Sequence, residues 1–186
     1  MTVSAPEATG KSEHGHSATP GVVEIPVGDQ LAIIDEADYD LVSPHRWRPY
    51  RSESGKDYAY TVIGRKTVFL HRLILGTAGG LDTDHRDGDG LNNRRSNLRP
   101  ATRSQNVANA PKSRRRDGRA WTSQFKGVCW NRAEGRWQAS IRVNGRLRFL
   151  GRYDDEVAAA RAYNVAALKF RGEFARLNDI PDQAAS

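Results

Sequence analysis

The sequence predicts an α+β protein of two small units joined by a basic linker. Three observations carry this. Short β-rich runs fill residues 21–75, residues 81–110 read as strand, loop, strand and helix, and residues 121–178 read as three strands followed by one long helix. The strands of the last unit form an antiparallel meander packed on that helix. At 186 residues the chain is long enough for one domain or two small ones, and the order of its patterns favours two.

Residues 1–20 hold few large apolar side chains and are expected to form a disordered tail, with His14 and His16 solvated. The runs VVEIPV, QLAIID, WRPY, YAYTVI and KTVFLHRLIL then follow one another as β-rich segments. YAYTVI and KTVFLH, separated by Gly64 and Arg65, read as a hairpin. LDTDH is a short strand, RDGDGLNNRRSN a long loop, and LRPAT a second extended piece. Thr102 and Gln105 have the spacing of a capping box, which starts a helix near Arg103 and places Asn106 in its first turns, before Pro111 stops it. Residues 111–120, PKSRRRDGRA, read as a flexible basic linker in which Arg114, Arg115 and Arg116 either lie along DNA phosphates or are simply solvated. In the last unit SQFKGVCW, GRWQASIRV and RLRFLGRY are strands joined by Glu134-Gly135 and Asn144-Gly145. The helix DDEVAAARAYNVAALKF is stopped by Gly172, and alanines such as Ala158, Ala162 and Ala166 keep its buried side thin. Residues 179–186 are a tail.

Alternation along GRWQASIRV puts Trp137, Ala139, Ile141 and Val143 on one face and Arg136, Gln138, Ser140 and Arg142 on the other. A polar, arginine-bearing sheet face suits a DNA groove, and it also fits an ordinary solvated face. The net charge of +7, carried by 29 Lys and Arg, suits a polyanionic partner such as double-stranded DNA. The single cysteine, Cys129, excludes an intramolecular disulfide and a zinc site built from paired cysteines. No apolar run approaches the roughly 20 residues of a membrane span, and the N-terminus lacks a hydrophobic secretion segment. A cytoplasmic protein without a membrane partner is expected, placed in the bacterial host if the gene is carried by a phage.

Residues 81–110 carry the chemistry. In a strand, loop, strand and helix unit, Asp84 and Asn106 can meet across the helix–strand junction and offer two hard oxygens to one divalent cation. Mg²⁺, or Mn²⁺ in its place, suits such a set, because it keeps positions for water and substrate phosphate. His85, beside Asp84, can take a proton from water at neutral pH. The calcium-loop pattern fails, since Arg86 stands at the fifth position counted from Asp82. An Asp-His pair alone also fits a turn-rich loop without metal.

The stretch LDTDHRDGDGLNNRRSNLRPATRSQNVAN, preceded by VFLHRLIL, resembles the HNH endonuclease family in its phage and intron homing subgroup. The resemblance implies a ββα-metal fold over about residues 81–110, within a nuclease domain spanning 21–110. It implies Asp84 and Asn106 as metal ligands and His85 as general base. It makes Asn97 the asparagine that orders the loop and orients the histidine. His71 stands in the LHRLI segment typical of the subgroup, where it touches the scissile phosphate or packs. The zinc-binding cysteines of some HNH enzymes are absent. Residues 121–178 resemble the Apetala/ethylene-response-factor DNA-binding domain, through the GV, W-x-A-x-I-R, LG and AA-x-AY-x-x-AA elements. In that family the sheet lies in the major groove, which implies DNA contacts from Lys126, Gln138, Ser140, Arg142 and Phe149. Cys129, Asn131 and Ser140 stand where plant members carry charged readers, and Phe149 replaces a tryptophan, so the plant target sequence does not transfer. Alternation and the family disagree over which face Phe149 takes. The expected whole is a homing-type, metal-dependent DNA endonuclease steered by a sheet domain. The alternative is a DNA-binding protein with a degenerate HNH unit. One catalytic unit per chain fits a monomer that nicks, and the oligomeric state stays open.

Overall fold

The computed structural model describes residues 21–112 and 122–181. The tail expected at 1–20, the arginines 114, 115 and 116, and residues 182–186 lie outside the described residues.

Strands β1 (Val22–Val27) and β2 (Gln30–Asp35) pair antiparallel, and a short helix α1 (Tyr39–Val42) follows. Strands β3 (Arg48–Arg51), β4 (Asp57–Ile63) and β5 (Lys66–Phe69) make a second antiparallel sheet in the order β3-β4-β5. The β4–β5 hairpin forms where Gly64 and Arg65 predict it, with φ of 53° and 67°, the left-handed pair that a two-residue turn of matching twist requires. The run KTVFLHRLIL is not one strand: β5 ends at Phe69 and a helix α2 (Leu70–Leu75) takes over. Leu70 and Ile74, four apart, bury one face of it, and Gly76 ends it in the left-handed conformation.

Strands β6 (Asp82–His85) and β7 (Leu98–Ala101) pair antiparallel and lead into helix α3 (Arg103–Asn109). The capping box forms as expected: Thr102 Oγ1 accepts from the Gln105 amide at 3.3 Å, and the Gln105 side chain accepts from the Thr102 amide at 2.8 Å. Val27, Ile34, Val42, Trp47, Leu70 and Leu98 form one buried core beneath these elements. Trp47 Nε1 is satisfied inside it by the Val42 carbonyl at 3.1 Å.

Strands β8 (Val128–Asn131), β9 (Arg136–Val143) and β10 (Arg146–Tyr153) form the expected meander, and helix α4 (Glu156–Arg171) packs on it. Ala139 and Ile141 are buried against α4, whose inward side is Ala159, Ala160, Tyr163, Ala166 and Ala167. Ala158 and Ala162 sit at the margin of that side, half-buried. Asp155 caps α4 by accepting from the Ala158 amide at 2.7 Å.

A β-bulge settles the face of Phe149. The register runs Arg148 to Ile141 and Phe149 to Ser140, then skips Leu150 so that Gly151 faces Ala139. Leu147 and Phe149 therefore stand on the same face as Ser140 and Arg142. The extra residue, Leu150, turns into the core. Phe149 is 55% exposed, with the Arg152 guanidinium 5.2 Å from its ring centre, while Arg148 reaches round to Phe170 on α4.

Candidate active site

The loop between β6 and β7 is fastened to the elements around it. The Ile33 amide donates to the Leu91 carbonyl at 2.9 Å and the Asn93 amide to the Ile33 carbonyl at 2.7 Å, so the loop adds itself to the edge of β2. Asp35 accepts from Arg94 and Arg95, and the buried Asp38 carboxylate accepts from the Arg95 guanidinium at 2.7 Å. Gly90 is required where the loop crosses β4, because a Cβ there would stand 2.2 Å from the Asp57 carbonyl.

Asn97 ties the loop to itself. Its amide nitrogen donates to Asp87 Oδ1 at 2.9 Å and to the Asn92 carbonyl at 2.8 Å, and its oxygen accepts from the Asp87 amide at 3.1 Å. It makes no hydrogen bond to His85. The residue that touches the histidine is Asn93, fully buried, with Oδ1 3.3 Å from His85 Nε2. Asn93 Nδ2 donates to the carbonyls of Leu91 at 3.0 Å and Gly90 at 3.4 Å, which turns Oδ1 toward the ring. An amide oxygen only accepts, so Nε2 carries the proton and Nδ1 is the basic atom. Burial lowers the His85 pKa, opposed in part by the bond to Asn93 and by the charge of Asp87. The ring is therefore neutral at physiological pH. Lys56 is half-buried nearby. Burial lowers its pKa, and Asp84 is the leading charge that pulls it back up.

Two pairs face each other between β6 and α3. Asp82 and Asp84 lie two apart on the strand, and Asn106 and Asn109 three apart on the helix, so each pair shares a face. Register joins Asp82 to Asn106, whose amide donates at 3.0 Å, and Asp84 to Asn109, whose amide donates at 3.1 and 3.2 Å. The expected pairing of Asp84 with Asn106 is thus not formed, each being engaged by the other's neighbour. Asp84 is 4% exposed and salt-bridged by Arg99 at 2.7 Å. Arg99 also donates to the Glu173 carbonyl at 2.7 Å and lies 3.8 Å over the Phe174 ring. Among the described residues no group of three or more His, Cys, Asp or Glu side chains is placed to hold a metal. The donors here are two carboxylates and two carboxamides, hard oxygens of the kind Mg²⁺ or Mn²⁺ accepts when water and phosphate complete the shell. Arg99 is the competing cation for Asp84.

The family model for HNH endonuclease matches residues 68–108. An uncharacterized HNH endonuclease of Acanthamoeba polyphaga mimivirus is 31% identical over 154 residues, which cover 81% of this chain and 75% of that protein. The chain belongs to the HNH endonuclease family. An APETALA2-like protein of rice (Oryza sativa) is 46% identical over 67 residues, 36% of this chain and 15% of that protein. An AP2-like ethylene-responsive transcription factor of Arabidopsis thaliana is 46% identical over 69 residues, 37% of this chain and 14% of the relative. The match thus spans only a small part of the plant proteins. No solved structure matches the chain.

Within the HNH unit, Asp84, His85 and Asn97 lie within one small region, and Asn106 flanks it on α3. His71 packs edge-on to His85 at 5.0 Å between ring centres. Sequence reasoning missed Asn93, Arg99, Asn109 and Lys56. The doubled Asn92-Asn93 and the Asn106/Asn109 spacing were the available signals.

The proposed DNA-reading residues divide. Gln138, Ser140, Arg142 and Phe149 share the outward face of β9 and β10. Lys126 departs from the expectation: its ammonium donates to the carbonyls of Ala108, at 2.8 Å, and Ala110, at the C-terminal end of α3. Burial, with Arg171 and Arg176 near it, pushes its pKa down to about 8. Such an amine is a bolt between the two parts of the molecule rather than an exposed DNA contact.

Proposed function

We propose that the protein is a metal-dependent DNA endonuclease of the homing type, targeted by its C-terminal sheet. The observation that carries the reading is His85: a neutral imidazole whose Nε2 proton is fixed on Asn93, leaving Nδ1 to accept a proton from water. Asp84 and Asn106 are the proposed metal ligands, with Asp82 and Asn109 holding them in place until a cation arrives. The chemistry a bound Mg²⁺ or Mn²⁺ supplies is stabilisation of charge on the phosphate and on the departing 3′ oxygen. Asn97 keeps the loop in the shape that presents His85, and Lys56 adds positive charge near the phosphate. The outward face of β8–β10, with Gln138, Ser140, Arg142 and Phe149, is the proposed groove-reading surface, joined by Arg114, Arg115 and Arg116 on phosphates. The proposed domains are 21–110 for the nuclease and 121–178 for the reader.

The Arg99–Asp84 ion pair favours a second reading, in which the HNH unit is a scaffold and the protein only binds DNA. One assay separates them. Supercoiled plasmid is incubated with the protein in Mg²⁺, in Mn²⁺ and in EDTA, beside a His85→Ala protein prepared identically. Metal-dependent nicking or linearisation by the parent protein alone is expected, with DNA binding retained by the variant. Tight binding with no cleavage in either metal would sink the nuclease and leave the scaffold.

A further inference from the structure

The outward face of the β3–β4–β5 sheet carries an unbroken series of rings toward His85. Register produces it: Tyr50 lies opposite Tyr58, and Tyr60 opposite Phe69, so the four share one side. Tyr50 and Phe69 have ring centres 5.5 Å apart, Phe69 stacks on His71 at 5.5 Å, and His71 meets His85 at 5.0 Å. The hydrophobic core does not account for the outer members, since Tyr50 is 44% exposed.

Tyr50, Tyr58, Phe69 and His71 line a cleft of about 370 Å³ that also borders Asp82 and Asn106. His71 is 8% exposed and its Nδ1 is buried with no hydrogen-bond partner. A buried polar atom without a partner is uncommon, and one in the wall of a cleft points to a group supplied from outside. Arg72 borders the same cleft, and Arg103, paired with Asp82 at 3.5 Å, has a side chain that is 84% exposed.

We propose that this cleft is a nucleobase subsite, in which one unstacked base of the DNA strand lies against Tyr50 and Phe69 next to His85. The inference rests on the reading of His85 as the base of a DNA nuclease. Aromatic walls accept the π-face of any base. In a duplex those faces are covered by neighbouring pairs, so a base reaches the cleft only after leaving the stack. His71 Nδ1 then meets a polar edge of that base, and Arg72 and Arg103 meet the flanking phosphates. Leaving the stack is easiest at an unpaired or mismatched nucleotide.

The test uses the full chain in EDTA, with fluorescence anisotropy on two labelled DNAs: a matched duplex, and the same duplex with a short unpaired bubble. The parent protein is expected to bind the bubble more tightly. Tyr50→Ala, a change at an exposed position, is expected to weaken bubble binding about 5- to 150-fold, the loss of one base-stacking contact, and to remove the preference. Tyr50→Phe is expected to keep it. Equal affinity for the two DNAs, a preference that survives Tyr50→Ala, or binding to neither DNA would each overturn the subsite. Because no cleavage is read, failure of the nuclease reading is registered separately, by the same protein leaving plasmid intact in Mg²⁺ while still preferring the bubble.

Discussion

Burial pushes the His71 pKa down to about 3, with the neighbouring His85 ring adding to the effect, and it lowers that of His85 as well. For His85, the proposed general base, the consequence is kinetic. A base with a lowered pKa keeps its lone pair into mild acid, so the acid limb of a pH profile of kcat/KM is expected below pH 6.5, and a limb above that value would show the ring more solvated than the structure has it. For His71 the consequence is stability. The unfolded chain protonates this histidine near pH 6.5 while the folded protein does not, so stability is complete above that pH and falls as pH drops toward about 3. Each such group steepens the loss by about 1.4 kcal/mol per pH unit. Urea unfolding of the parent and His71→Phe proteins between pH 7 and 4 is expected to show the shallower slope in the variant, and equal slopes would mean that His71 takes up its proton while folded. Asp84 and His85 could be singled out at this scale because they are neighbours in the chain, and Asn97 through the resemblance alone. Asn93, Arg99 and Asn109 were not, because each acts through a partner that only the tertiary register supplies.

Elements set by local chemistry were read well, and those set by packing were not. The Asn144-Gly145 turn, with φ of 49° and 75°, and the Thr102/Gln105 capping box stand where their residues predict. Helix α2 was hidden because a short apolar run has the same appearance in a buried strand and a buried helix turn. The bulge at Leu150 was hidden because an extra residue in one strand is visible only against its partner. Helix α3 is seven residues long and presents both Asn106 and Asn109, so it depends heavily on its cap. Thr102→Ala is expected to cost about 1 kcal/mol in urea unfolding, and Thr102→Ser to restore most of it. If alanine is neutral, packing against β6 and β7 holds the helix without its cap.

The linker expected at residues 111–120 lies mostly outside the described residues, and the two parts that it joins pack on one another. Lys126 donates to the last carbonyls of α3, Glu173 accepts from Arg86 at 2.8 Å, and Arg176 donates to the Asp87 carbonyl at 3.0 Å. Gly127, next to Lys126, lies so close to Tyr163 that a Cβ would stand 2.1 Å from its ring, which fixes the start of the meander on α4. These contacts fall on the loop and helix that frame His85, so a sheet seated in a groove also orients the proposed active site. A flexible tether alone would raise effective concentration and leave the cut position loose. On the proposed function, a packed junction would tie the cut to a fixed distance from the bound sequence. Lys126→Met with Glu173→Ala removes two of these polar bolts, leaving Arg176 on the Asp87 carbonyl, and keeps the apolar stem of the lysine. On one mapped DNA target with Mg²⁺, the parent protein is expected to cut at a single phosphate. The double variant, cutting at a similar total rate, is expected to spread its cuts over neighbouring phosphates. Cuts that stay at one phosphate in the variant would mean that the DNA itself, gripping each unit separately, sets the distance.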